Sequence, residues 1–239
     1  SALVDGELEP LEAIALQQRV RQSPGLDSEY REIERLKLAV HLAGTRDRPP
    51  VGLGDWKMLE MNDRVELDRV YVSWRTVPQF DPWDAPLSLL ADVLAKGRTS
   101  RLHRELVLEK QWAQDVSIYH SARELAGTFG AIVTLRPGAD PAAARQAVFD
   151  AIDAVVREGV RPEELDRVKT MKASAFLFAL EHAGGFGGVA DRLNAYNVYC
   201  SDPSRITTDL QRYLKVTPND LQDAAAAFLD TRKKSAACL

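Results

Sequence analysis

Two stretches of strict period-two alternation flank one short polar segment, and no other feature constrains this chain as tightly. Val116, Ile118 and His120 alternate with Asp115, Ser117 and Tyr119. Phe129, Ala131, Val133 and Leu135 alternate with Thr128, Gly130, Ile132 and Thr134. Successive side chains of a strand point to opposite faces, so each run predicts a strand with one buried face. The intervening Ser121–Gly127 is of hairpin length. A third alternating run, Arg69–Thr76, sets Val70, Val72 and Trp74 on one side, and strand-type pattern begins near Met58.

Elsewhere the period lengthens to that of a helix. Pro78, Pro82 and Pro86 mark a loop and a helix start, Leu89, Leu90, Val93 and Leu94 make an apolar stripe, and Gly97 stops it. A second helix follows, with Leu102 and Leu106 inward and Glu109 near its end. Asp140-Pro141 reads as an N-cap with proline at the first helical position, ahead of a face of Ala144, Ala147, Val148, Ala151, Ile152, Val155 and Val156 that ends at Gly159. Pro162-Glu163-Glu164 starts another helix, whose predicted buried stripe is Val168, Met171, Ala175 and Phe178. Gly184-Gly185-Phe186-Gly187-Gly188 interrupts it, and helical pattern resumes from Val189 to Cys200. Thr217 and Asp220 form a capping box for a last helix with Leu221, Ala224, Ala225, Phe228 and Leu229 inward. Strands, helices, a hairpin and then helices give an α+β domain, a mostly antiparallel sheet with helices packed on one face.

Residues 1–50 read differently. Leu11, Ile14, Ala15 and Gln18, then Ile33, Leu36 and Val40, show short helical spacings broken by Ser23-Pro24-Gly25. Pro49, Pro50, Gly52 and Gly54 form a linker, so 1–50 is predicted to be a helical linker or hairpin and 51–239 the main domain.

The 239 residues carry a net charge of −4 with both signs interspersed, which argues against nucleic-acid binding through a basic stripe. No apolar run approaches the ~20 residues needed to span a bilayer. Ser1–Asp5 has neither a basic n-region nor an apolar h-region, and the missing initiator Met reads as a fragment or a processed chain. Cys200 and Cys238 are too few and too far apart for a disulfide framework or a CxxC motif.

No catalytic constellation is legible. The histidines are His41, His103, His120 and His182, and no two stand at the spacing that places a pair of imidazoles around a metal on one helix face. HExxH and HxxEH are absent, as are Gly-x-Ser-x-Gly and the Walker pattern. The chain therefore offers no catalytic residue and no metal ligand.

Three segments nonetheless resemble the M16 (insulinase/pitrilysin-like) zinc metallopeptidase family. Leu90 through Leu108 resembles that family's apolar helix, Gly-rich turn and Ser-Arg-Leu run. Glu109-Lys110-Gln111-Trp112-Ala113-Gln114, leading into Val116 and Ser117, is similar to its "EKxLAxxV" run. Leu180 through Gly188, followed by Ala190, Asp191, Leu193 and Asn194, is similar to a glycine-interrupted helix of a bacterial branch. The likeness runs from Met58 to Leu229.

The resemblance implies a LuxS/MPP-like domain of the non-catalytic, C-terminal type. Its expected partner is a homologous HxxEH-bearing half, on the same chain or a separate subunit, which carries zinc and closes with it around a peptide substrate. No zinc is expected in this chain, and this chain alone is expected to be inactive. The implied alternative is a structural assembly subunit with no role in proteolysis. Periplasmic and cytoplasmic bacterial parents both fit.

Arg98, Ser100, Arg101 and Gln114 are the candidate chamber residues, with Arg101 alternatively fixing the loop. Many non-catalytic members carry a peptide-gripping Arg and Tyr where this chain has Val107 and Gln114. A valine cannot donate a hydrogen bond, whereas glutamine can. Gly184, Gly185, Gly187 and Gly188 are read as a hinge or as a close helix crossing. Trp74 and Trp112 are read as core packing in preference to a substrate wall.

Overall fold

The computed structural model describes residues 58–60, 66–185, 187–229 and 235–238, all within one contact unit, Gly54–Leu239. The predicted helical segment 1–50 lies outside the described residues. The strands are β1 (Met58–Glu60), β2 (Arg69–Thr76), β3 (Ala113–Ala122), β4 (Gly127–Leu135) and β5 (Ser235–Cys238), in the order β1-β5-β2-β4-β3. β1 and β5 pair parallel and every other neighbouring pair is antiparallel. The hairpin forms as expected, closed by Arg123 N donating to Ala126 O at 3.0 Å. β3 is an outer edge of the sheet.

Alternation decides which face is covered. Val70, Val72 and Trp74 of β2, Val116 and Ile118 of β3, and Phe129, Ala131, Val133 and Leu135 of β4 are buried. Ser117, Tyr119 and Thr128 are exposed on the opposite side. Helices α1 (Asp84–Ala95), α2 (Pro141–Glu158) and α6 (Pro218–Phe228) contribute Leu89, Leu90, Leu94, Ile152, Val155 and Leu221 to the same core. Trp74 packs edge-on against Phe129 and Phe149, so it is a core residue. Trp112 is partly buried against that core.

The caps follow the sequence. Asp140 accepts from Ala142 N, and Thr217 and Asp220 make a reciprocal capping box. Glu164 accepts from Arg161 N at 3.1 Å, closing the start of α3 (Pro162–Leu180).

Two expectations need correction. The second helix, after Gly97, is a π-helical segment, His103–Glu109, with Lys110 N bonded to Glu105 O at 2.8 Å. Leu102 and Leu106 are still fully buried. The α3 stripe also fails in its second half: Val168 is buried, but Ala175 is exposed and Phe178 is 63% exposed, while Phe176 is buried instead. There the helix leaves the sheet-facing core, and Phe176 finds the Arg192 guanidinium 4.6 Å from its ring. Beyond the glycines come α4 (Val189–Cys200), a 3-10 turn Pro203–Thr207 and α5 (Asp209–Leu214). Cys200 is a free thiol.

Candidate functional site

The Ser-Arg-Leu run sits where α1 turns into the π-helical segment. Gly97 has φ +85, a conformation glycine adopts without steric cost. Ser100, 1% exposed, donates from Oγ to Gly97 O at 2.6 Å and so closes the turn. Arg101 points at the α2–α3 corner. Its Nε and Nη2 meet both oxygens of Glu164 at 2.9 and 2.7 Å, and Nη2 also donates to Gly159 O at 3.1 Å. Burial alone would raise the Glu164 carboxyl, but the hydrogen bonds from Arg101 and Arg161 overcome it and hold the pKa at about 2. The guanidinium is thus committed to a loop clamp. Arg98 is exposed.

The π-helical segment delivers the chain to β3. Gln111, with φ 54, ends it. Val107 is partly buried against the core, and Leu108 is 43% exposed. Gln114 is the extra residue of a bulge, since Ala113 pairs with Leu135 and Asp115 with Thr134. Its side chain is exposed at the start of the edge strand. Of the candidate chamber residues, Ser100 and Arg101 are spent on internal bonds, while Arg98 and Gln114 present polar groups to solvent.

The glycine interruption is open. Nothing lies within 4 Å of a Cβ built on Gly184, Gly185 or Gly187, so these three do not serve a close helix crossing among the described residues. Gly185 and Gly187 have φ +84 and +76. Gly188 is tight, its Cβ position 2.7 Å from Gly184 O, and Gly187 N donates to Asp191 Oδ2 at 2.8 Å.

Sequence reasoning missed one polar centre entirely. Asp84, 6% exposed at the start of α1, accepts from Phe80 N at 3.0 Å and from Arg212 Nη1 at 2.8 Å, with His120 Nδ1 3.3 Å away. His120 Nε2 is 3.0 Å from Thr76 Oγ1. Arg212 also donates to Asp209, which accepts from the Tyr196 hydroxyl. Burial would raise Asp84, but His120 and Arg212 hold its carboxyl below the usual value. Thr76, His120 and Asp84 are ordered like a hydroxyl, base and acid. All three are buried, so the chain of bonds ties β2, β3, α1 and α5 together without offering a nucleophile to solvent. Its members are remote in sequence and no local motif announces them.

His182 Nδ1 is 3.0 Å from Phe178 O, the buried Nδ1 of His103 has no hydrogen-bond partner, and His120 Nδ1 lies within ion-pair distance of Asp84 without a hydrogen bond. No cluster of three or more His, Cys, Asp or Glu placed to hold a metal occurs among the described residues. His41 lies outside them. Among the same residues, no helix is long and apolar enough to cross a membrane.

The model of the family described as "Peptidase M16 inactive domain" matches residues 41–172, more than half of the chain. The chain belongs to this family. The Ser-Arg-Leu and Trp112 segments fall inside the matched span of the M16 inactive domain, and the glycine interruption lies beyond it. No curated protein matches the sequence.

Among solved structures, a protease from Helicobacter pylori superposes with a TM-score of 0.69 at 21% identity, covering 76% of this chain and 43% of that one. The inactive peptidase domain of a candidate zinc protease from Bordetella parapertussis gives 0.63 at 19%, covering 75% and 95%. A candidate zinc protease from Bordetella pertussis Tohama I gives 0.62 at 22%, covering 74% and 95%. These likenesses establish the M16-type α+β fold. The chain spans less than half the length of the Helicobacter protease.

Proposed function

We propose that this chain is the non-catalytic half of an M16-type zinc metallopeptidase. It forms one wall of a peptide-enclosing chamber, opposite a homologous half whose HxxEH motif holds zinc and activates water. The observation that carries the reading is the inactive-domain match in a sequence that lacks HxxEH. The partner half lies on the same polypeptide or on a separate subunit, with residues 1–50 as the link to a preceding domain. The solvent-facing Arg98 and Gln114 contact the enclosed peptide. The Gly184–Gly188 interruption is the hinge, an assignment supported by the open space around Gly184, Gly185 and Gly187.

Val107 favours a second reading. On that reading the chain, which lacks the Arg of the peptide grip, is a structural assembly subunit that keeps the fold and takes no part in cleavage.

Capture of the full-length protein from its own cells, with mass spectrometry and zinc analysis, separates the two. Recovery of an HxxEH sequence with stoichiometric zinc, and peptide cleavage by that assembly, supports the first. An assembly with neither motif nor metal overturns it.

A further inference from the structure

Helix α4 lies outside the sheet-facing core. Of its twelve residues, Val189–Cys200, only Tyr196 is buried, at 3% exposure. Tyr196 does not belong to the main hydrophobic cluster, and neither does Phe176, the α3 residue that Arg192 of α4 covers. The chief neighbour of α4 is the 3-10 turn Pro203–Thr207 that follows it in the chain. Val198 and Tyr199 are left exposed.

One buried side chain therefore anchors α4 to the domain. The Tyr196 hydroxyl donates to Asp209 Oδ2 at 3.0 Å, and its ring centroid stands 5.6 Å from that of Phe80. Tyr199 reaches the same Phe80 ring, at 6.2 Å, from its exposed position. Both receivers of Tyr196 are set by other parts of the fold. Asp209 Oδ1 accepts from Arg212 Nε at 2.8 Å, and Arg212 reaches on to Asp84 of α1. Phe80 N donates to Asp84 Oδ2, and Phe80 has φ 66, a backbone conformation unfavourable for a bulky residue. Burial, with Asp209 beside it, pushes the Tyr196 phenol up to about 12, so it keeps its proton and stays a donor.

Both ends of this unit are backbone joints. Before α4, nothing lies within 4 Å of a Cβ built on Gly184, Gly185 or Gly187, and the last two have positive φ. After α4, Ser201 has φ 52, and Asp202 accepts from Ser204 N to start the 3-10 turn. An element with few buried contacts, held between two such joints, opens at lower free energy than the core. We infer that α4 and the 3-10 turn form a strap that opens as a unit, with Tyr196 as its latch on Phe80 and Asp209. Opening uncovers the Phe80 ring and the Asp209 carboxylate and leaves the Arg212–Asp84 pair in place. The strap rests on the hinge reading of the glycine interruption and makes α4 the body that the hinge moves.

Native-state amide hydrogen exchange of the full chain, followed by peptide mass spectrometry, tests the strap without a partner half. Corrected for intrinsic rates, the α4 amides are expected to exchange about tenfold faster than those of α2. Tyr196→Phe keeps the ring and removes the hydroxyl, so it should speed exchange in α4 by about a further fivefold while α2 holds its wild-type rate. Equal protection of α4 and α2 overturns the strap. A Tyr196→Phe variant that leaves α4 unchanged, or speeds α4 and α2 alike, overturns the latch. The readout needs neither zinc nor peptide. Its failure leaves the outcome of the capture experiment untouched, and a capture without motif or metal leaves the strap standing.

Discussion

At the scale of single residues, two carboxylates do most to fix the candidate site. Glu164 receives both arms of Arg101, and Asp84 receives Arg212 beside His120. Removing one partner leaves the other charge half-buried and unpaired. Arg101→Ala is expected to cost about 2 kcal/mol in urea unfolding, and Asp84→Asn about 3 kcal/mol. Both carboxyls titrate below their usual values in the folded chain, Glu164 at about 2. A depressed folded pKa contributes stability above the unfolded pKa and loses it as pH falls. The urea midpoint should therefore drop as pH is lowered from about 4.5 towards 2, and Arg101→Ala should flatten that acid slope. A slope identical in the wild type and Arg101→Ala would show that the clamp does not set the Glu164 titration.

Among the elements, the β2–β4 pair and the glycine interruption carry distinct sensitivities. A Cβ on Gly127 would lie 2.4 Å from the Val77 carbonyl oxygen, which is backbone and cannot swing aside. On Gly130 it would meet the Tyr119 ring, which is 40% exposed and free to rotate away. Gly127→Ala should destabilise the domain by about 2 kcal/mol and Gly130→Ala by clearly less, a ranking that thermal unfolding of the two variants reads directly. Gly187→Ala meets open space but a left-handed backbone, so its cost is about 1 kcal/mol. If the interruption is a hinge, the same variant should slow cleavage by the assembled peptidase while leaving assembly intact.

For the whole molecule, one face of the sheet is filled by α1, α2 and α6, and the other carries Ser117, Tyr119 and Thr128, while Gln114 is exposed at the bulge that opens the β3 edge. Under the proposed function Gln114 offers a neutral hydrogen bond to the enclosed peptide. Gln114→Ala is expected to lower kcat/KM of the reconstituted two-half enzyme about fivefold, the equivalent of ~1 kcal/mol, without changing subunit capture. Unchanged kinetics would remove Gln114 from the chamber.

What the sequence determined by itself was local and periodic. Alternation set the faces of β2, β3 and β4, proline and acid set the starts of α2, α3 and α6, and Gly97 and Gly159 set two helix ends. These follow from side-chain direction and backbone allowance within a few neighbouring residues. The Ser-Arg-Leu run was legible as a motif, but its use was not. Arg101 closes on Glu164, 63 residues away, and Arg212 on Asp84, 128 residues away. The π-helical form of His103–Glu109, the emergence of Phe178 from the core and the packing of Lys172 against Tyr213 likewise depended on which elements the fold brought together. Contacts between distant parts of a chain leave no period in its sequence, so only the tertiary structure decided them.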